Sequence, residues 1–270
     1  MEEDSKKRFS NRATYYAQSR PRYPEAILAF MENELGLSEA SVVADIGSGT
    51  GILTELFLKH GNPVYSVEPN REMRKAAEGL LNQYPSFTSI DGTAEATTLP
   101  AASVDFVTAA QAFHWFDPLK TRGEFLRILK LHGWVLLIWN TRKNSPGFME
   151  AYERLVSEYA NRAHSRRTAK DKVGDQALAS FFGEYKVKTF SNSQVLDFEG
   201  LAGRLLSSSY LPLPGETRYG SMMDALRKLF DSYQEGGVVR LEYETETYYG
   251  QLTPRPWGHS LGLQLRQQYL

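Results

Sequence analysis

Asp45, Gly47, Gly49 and Gly51 fall at alternate positions after an apolar run of Val42, Val43 and Ala44. Residues 52–58 then continue at helical spacing. The pattern predicts a buried strand, a tight glycine turn and a helix N-terminus. Glycine has no Cβ, so a ligand can approach such a turn closely. A helix start also presents N–H groups to an acceptor. A dinucleotide fold wants G-x-G-x-x-G, with the pyrophosphate on the helix. Here the spacing is G-x-G-x-G, and Asp45 would repel a phosphate. The site suits a ligand with an ammonium group and no phosphate. The plain alternative is a glycine turn that binds nothing.

Glu68 ends the next apolar run, 23 residues after Asp45. An acid there can accept from both hydroxyls of a ribose, which points to an adenosine-type ligand. Asn70 is a good helix cap, which leaves Glu68 to the ligand. A third apolar run leads to Asp91, Gly92, Thr93, Ala94 and Glu95. A fourth leads to Gln111, Ala112, Phe113, His114, Trp115, Phe116 and Asp117. Together these motifs resemble the class I S-adenosylmethionine-dependent methyltransferases. Within that class, the Gln111 to Asp117 run resembles a subgroup that includes fungal trans-aconitate methyltransferases. Tyr16, Arg20, Pro21, Tyr23, Pro24 and the 205–210 run fit the same subgroup. The resemblance extends from about residue 9 to about residue 252.

The resemblance implies S-adenosylmethionine as methyl donor and a small-molecule acceptor; the five histidines show no metal-ligand spacing, so no metal is expected. Cofactor contacts are expected from Gly47, Ser48, Gly49, Gly51, Glu68, Pro69, Asn70 and Gln111. Asp45 would favour the α-ammonium, directly or through water, and Tyr16 and Arg20 would hold the carboxylate. Thr93 stands where many members have an acid for the adenine amino group, with Ala94 and Glu95 beside it. Met73 either packs on the adenine or is a core methionine.

Methyl transfer from a sulfonium is an in-line displacement with an excellent leaving group. The protein supplies alignment and water exclusion. A base is needed only for a nucleophile that carries a proton. His114 is the candidate, with a structural hydrogen bond as its other reading. Phe113 and Trp115 line an apolar substrate pocket or belong to the core. Asn140 and Arg142 follow the fifth strand; Arg142 either meets an acceptor carboxylate or is a partnerless surface arginine. Ser208 and Tyr210 would close on the substrate from a cap. No N-P-P-Y or D-P-P-Y follows the fourth strand, which disfavours transfer to adenine or glutamine nitrogen; an oxygen acceptor, a carboxylate included, is expected. The competing readings are a ligand-binding regulator without turnover and a nicotinamide-dependent oxidoreductase.

Strand-like and helix-like segments alternate from residue 24 to residue 140, which implies parallel strands joined by helices. Residues 24–35, 70–84 and 119–129 read as helices, and 134–139 as a strand after Gly133. Residues 145–160, 199–206 and 222–233 read as further helices. Residues 185–190 alternate like an exposed or edge strand, and 238–249 suit a final antiparallel strand. The expected fold is a doubly wound, Rossmann-like, seven-stranded, mostly parallel sheet with an antiparallel last strand. A single domain should span 1–252, with a small helical cap from 1–23, 145–180 and 198–235. The tail 253–270 reads as disordered or foreign to the natural chain.

The chain has 31 Lys and Arg against 32 Asp and Glu, a net charge of −1 that gives no reason to expect nucleic acid. The basic run around Arg162, Arg166, Arg167, Lys170 and Lys172 has no interleaved aromatic platform and reads as solvated. No apolar run is long enough to cross a membrane. The charged N-terminus lacks a secretion core. With no cysteine, disulfides and thiolate chemistry are excluded, and a cytoplasmic monomer or homodimer is expected.

Overall fold

The computed structural model describes residues 19–160, 173–208 and 210–253. The expectations for Tyr16, for the basic run and for the tail beyond 253 lie outside these residues.

Strands β1 (Val43–Ile46), β2 (Val64–Val67), β3 (Phe87–Ile90), β4 (Val104–Ala110) and β5 (Leu129–Arg142) run parallel in the order β3-β2-β1-β4-β5. Strand β7 (Val239–Gly250) pairs antiparallel with β5, and β6 (Lys186–Leu196) pairs antiparallel with β7 at the edge. This is the expected seven-stranded doubly wound sheet, with the antiparallel strand one place inside the edge.

The central strands are apolar on both faces because helices cover both. Along β5, Val135, Leu137 and Trp139 join Ala44, Ile46, Val107 and Phe125 on one side. Leu136 and Ile138 join Val43, Phe30 and Phe57 on the other. The period-two alternation of one strand therefore feeds two cores. Helices α1 (Ala26–Leu35), α2 (Ile52–His60), α3 (Arg71–Leu81) and α4 (Pro118–Ile128) supply the covering layers. Asn70 caps α3 by accepting from the N–H groups of Glu72 and Met73. Asp117 caps α4, with Pro118 in the first turn where its missing N–H costs nothing.

A third core builds the cap. Helices α5 (Phe148–Tyr159), α7 (Phe198–Leu206) and α8 (Tyr219–Tyr233) gather Tyr152, Leu155, Leu205 and Leu226 on Leu241 and Tyr243 of β7. The β5–β7 register ends at Arg142 opposite Tyr243. Residues 239–242 of β7 continue past β5 with β6 as their strand partner, and the cap stands on this extension. Among the described residues no helix is long and apolar enough to cross a membrane.

Three elements differ from expectation. Helix α6 (Asp175–Phe182) begins within the 145–180 span assigned to the cap, but its Leu178 enters the main core, together with Phe181 and Phe182 just past that span. Strand β6 runs on to Leu196 because β7 offers a partner along its whole length. Strand β5 begins at Leu129, and Gly133 sits inside it, where a Cβ would come within 2.9 Å of the Asp105 carbonyl.

The glycines of the turn after β1 are fixed for different reasons. Gly51 has φ of 82°, and a Cβ there would meet Leu81 Cδ1 at 2.5 Å. Gly49 has φ of 59° with nothing within 4 Å of the same position. Gly51→Ala should therefore cost about 2–4 kcal/mol, from left-handed strain plus overpacking. Gly49→Ala should cost about 1–2 kcal/mol, from strain alone. Denaturant titration of the two variants checks the ranking.

Candidate functional site

The chain order reverses between β1 and β4, and their carboxyl ends diverge there. The opening is a small crevice. Tyr23, Asp45, Gly47, Ser48 and Gly49 line it, together with Thr50, Ile52, Leu53 and Ala110. Gly51 is absent from this lining and packs on α3 instead. Thr50 lies inside the glycine motif and Tyr23 in the N-terminal run, but neither is assigned a ligand contact from sequence; Ala110 carries no signal that would have assigned it.

The N–H groups of the turn are largely engaged by the protein. Gly47 and Ser48 donate to the Val67 carbonyl at 2.8 and 3.2 Å, and Gly51 donates to Ser48 at 3.0 Å. Gly49 donates to Glu68 Oε2 at 2.9 Å. The expectation of free N–H groups aimed at a ligand is thereby corrected. A pyrophosphate needs such donors, and this loop does not offer them at those positions.

Asp45 is fully buried. It accepts from the hydroxyls of Thr54 at 2.7 Å and Thr108 at 3.2 Å. Burial pushes its carboxyl up to about 6; the two threonines pull it down and Glu68 adds to the rise. Asp45 thus borders the crevice as a desolvated acid that a cation would stabilise in its charged form.

Glu68 is also buried, and it is not left free. Besides Gly49 it accepts from the Asn70 N–H at 2.8 Å. Arg74, which sequence reasoning passed over, donates to the Glu68 carbonyl and to Asp91 Oδ2, both at 2.8 Å. It ties the ends of β2 and β3 together. Pro69 is half-buried, and Met73 is 4% exposed on the inner face of α3. Thr93 pairs backbone to backbone with Ala96, Ala94 is in the main core, and Glu95 accepts from the Asp117 N–H at 2.9 Å. The carboxylate of Glu95 therefore braces the start of α4.

The loop after β4 divides its residues. Gln111 is left-handed, with φ of 56°, and its amide donates to the Asn140 carbonyl at 2.9 Å. Phe113 is in the core, with its ring 4.7 Å from Phe181, which corrects its assignment to a substrate pocket. His114 is half-buried with its ring 4.9 Å from that of Trp115, and Trp115 is 58% exposed. Asn140 is corrected too. Its Oδ1 accepts from Thr245 at 2.5 Å and Asn192 at 3.2 Å, and its Nδ2 donates to the Arg22 carbonyl at 3.3 Å. It is a tie between β5, β6, β7 and the N-terminal segment.

Arg142 is neither partnerless nor a surface residue. Its Nε and Nη2 donate to Glu153 Oε2 at 3.1 and 2.9 Å. Arg20 lies with the cap, its Nη2 donating to the Ser207 carbonyl at 2.8 Å, and it is not part of the crevice lining. Ser208 is buried. Burial raises the Tyr210 phenol, but Arg142, Arg204, a hydrogen bond with Ser208 and Arg20 together outweigh it and hold the phenol below its usual value. The cap side of the fold is thus rich in buried cations, and the crevice side in buried acids.

Residues 44–137 match the family model described as a methyltransferase domain. The chain is 27% identical over 252 residues to an uncharacterized methyltransferase-like protein of Schizosaccharomyces pombe, covering 92% of this chain and 96% of that one. It is 32% identical over 160 residues to an uncharacterized methyltransferase of Mycobacterium tuberculosis, covering 59% of this chain and 63% of that one. Its fold is similar to that of a proposed type II methyltransferase from Anaeromyxobacter dehalogenans, with a TM-score of 0.66 at 20% identity over 87% of this chain and 99% of that one.

Two outcomes follow from the geometry. Asn140→Ala leaves Thr245 and Asn192 without their acceptor and should cost about 1–3 kcal/mol, read by urea titration. Native Asp45 keeps its proton up to about pH 6, whereas its ordinary value is 3.8. Between these values the native state binds more protons, so the contribution of this site to stability falls as pH rises and levels off above about 6. Asp45→Asn should lack this slope. The gap between the two proteins should shift toward the variant by up to about 3 kcal/mol from about pH 4 to about pH 7.

Proposed function

We propose a reaction for this chain, which belongs to the class I S-adenosylmethionine-dependent methyltransferases: it methylates an oxygen of a small molecule, with a carboxylate oxygen included. One observation carries the donor site. The N–H groups of Gly47, Ser48, Gly49 and Gly51 have protein acceptors, and buried Asp45 borders the same crevice. These residues fit a nucleoside that bears an ammonium and no phosphate. They do not fit a dinucleotide.

S-adenosylmethionine supplies an electrophilic methyl group on a sulfonium. In this reading Asp45 favours the α-ammonium through the field of its carboxylate, since the side chain is fully buried. Glu68 accepts from the N–H groups of Gly49 and Asn70 at the end of β2, and a carboxylate placed there suits the ribose hydroxyls. The open space at Gly49 is where the ligand approaches the backbone. His114 serves as the base for a hydroxyl acceptor. A carboxylate acceptor needs no base, so the two acceptor types make opposite demands on His114.

Calorimetry with S-adenosylhomocysteine tests the donor site. Binding is expected at neutral pH and should weaken about tenfold per pH unit below about 6, as Asp45 takes up its proton. Gly49→Ala should lower the affinity far more than Gly51→Ala at equal folded fraction. No binding at millimolar ligand would refute the assignment. A screen of methyl acceptors with His114→Gln then separates the classes: activity on carboxylates should survive, and activity on hydroxyls should fall by about 10²–10⁴-fold.

A further inference from the structure

Arg204 is a buried cation to which the donor site gives no task. It projects from α7 at 4% exposure. Its Nε donates to the Tyr243 hydroxyl at 3.1 Å and its Nη1 to Ser207 Oγ at 3.3 Å. Both acceptors are neutral, and among the described residues no carboxylate bonds to it. Neighbouring Arg142 has Glu153. A guanidinium buried without a counter-ion is costly.

Beside it lies a second unmet group. Tyr152 is 1% exposed, and its hydroxyl has no hydrogen-bond partner among the described residues. Burial pushes this phenol up to about 12, against the pull of Arg204 and Arg142, so it is an O–H donor at neutral pH. The Arg142 guanidinium stands 5.6 Å above the ring of Tyr152. A charged donor and a neutral donor therefore lie in one buried cluster, and among the described residues neither has an anionic acceptor. A buried polar group without a partner marks a place where something else binds.

We propose that Arg204 and Tyr152 hold a carboxylate of the methyl acceptor as an anchor, distinct from the oxygen that is methylated. The word acceptor rests on the methyltransferase reading; the carboxylate pocket itself does not. Two arguments separate anchor from nucleophile. A carboxylate whose lone pairs meet a guanidinium and a phenol is a poor nucleophile. The pocket is also displaced from the crevice. Ala110 lines the crevice and pairs with Ile138, whereas Arg142 comes four residues later on β5. At about 3.3 Å per residue, that is about 13 Å along the strand. The acceptor therefore carries at least two groups, a carboxylate for Arg204 and Tyr152 and an oxygen that reaches the crevice.

Calorimetry on the full chain tests this, with saturating S-adenosylhomocysteine and with succinate, glutarate and phenylacetate as probes, each also as its full methyl ester. The native protein should bind at least one acid and none of the esters. Arg204→Met should weaken acid binding at least tenfold. Tyr152→Phe should weaken it several-fold while leaving thermal stability equal or higher, because the hydroxyl it removes has no partner to lose. Both variants should keep native affinity for S-adenosylhomocysteine. If Arg204→Met does not fold, Tyr152→Phe decides alone. Acid binding that neither variant changes, or no acid binding by protein that holds S-adenosylhomocysteine, overturns the proposal. Acid binding that depends on Arg204 in a protein that fails to hold S-adenosylhomocysteine supports the pocket and refutes the methyltransferase reading.

Discussion

The Val67 carbonyl and the Glu68 carboxylate hold the glycine turn to the neighbouring strand, and the crevice exists because of that tie. Val67 accepts two N–H groups from the turn, and Glu68 accepts Gly49 on one side and Asn70 on the other. The turn passes through three left-handed positions, at Gly47, Gly49 and Gly51. Such a path is open to glycine at little steric cost, but it has high backbone entropy when unfolded. The acceptors on β2 and after it select one path from many. The start of α2, the cap of α3 and the floor of the crevice are then set together. Gly47 packed on Ala112 and Gly51 packed on Leu81 lock the turn against the β4 loop and α3.

Buried charge is distributed unevenly around this frame. Asp45 and Glu68 stand beside the turn, while Arg142 and Arg204 stand under the cap. A buried charge persists where a partner or hydrogen bonds stabilise it. Asp45 has two threonine hydroxyls and Glu68 two backbone amides; Arg204 has a phenol and a serine hydroxyl. None of these is a full counter-charge. In the proposed reading each half awaits the opposite sign: a cationic donor at the acids and an anionic acceptor at the arginines.

The parallel sheet was legible because its strands are short, apolar and followed by capped helices. Asp45, Gly47, Ser48 and Gly49 were legible because their types are constrained by a turn that admits few alternatives. What escaped depends on long-range partners. Glu68 looked free because the N–H groups that occupy it belong to Gly49, 19 residues earlier, and to Asn70, already assigned as a cap. Asn140 resembled a substrate residue until β6, β7 and the Arg22 carbonyl closed on it. Arg142 looked like a surface residue because Glu153 lies on a helix whose docking no local pattern reveals. Arg204 and Tyr152 sit within helical apolar patterns, where a tyrosine or an arginine stem reads as packing. Helix α6 was missed because its three core residues fall at the end of a polar stretch.

The cap and the crevice share strands, and this constrains how they can work together. Strand β5 is parallel to β4 at the crevice and antiparallel to β7 under the cap. Asn140 lies on β5 between Ile138, the partner of Ala110, and Arg142. Its side chain binds β6, β7 and the N-terminal segment, and its carbonyl receives Gln111 from the β4 loop. A shift of the cap that moved this residue would be felt by Gln111, whose left-handed backbone positions the turn bearing His114 and Trp115. Packed interiors transmit such shifts because they lack space to absorb them. In the proposed reading one buried amide therefore holds the cap cluster, the β4 loop and the glycine turn in fixed relation, and alignment is built into the sheet rather than left to loops.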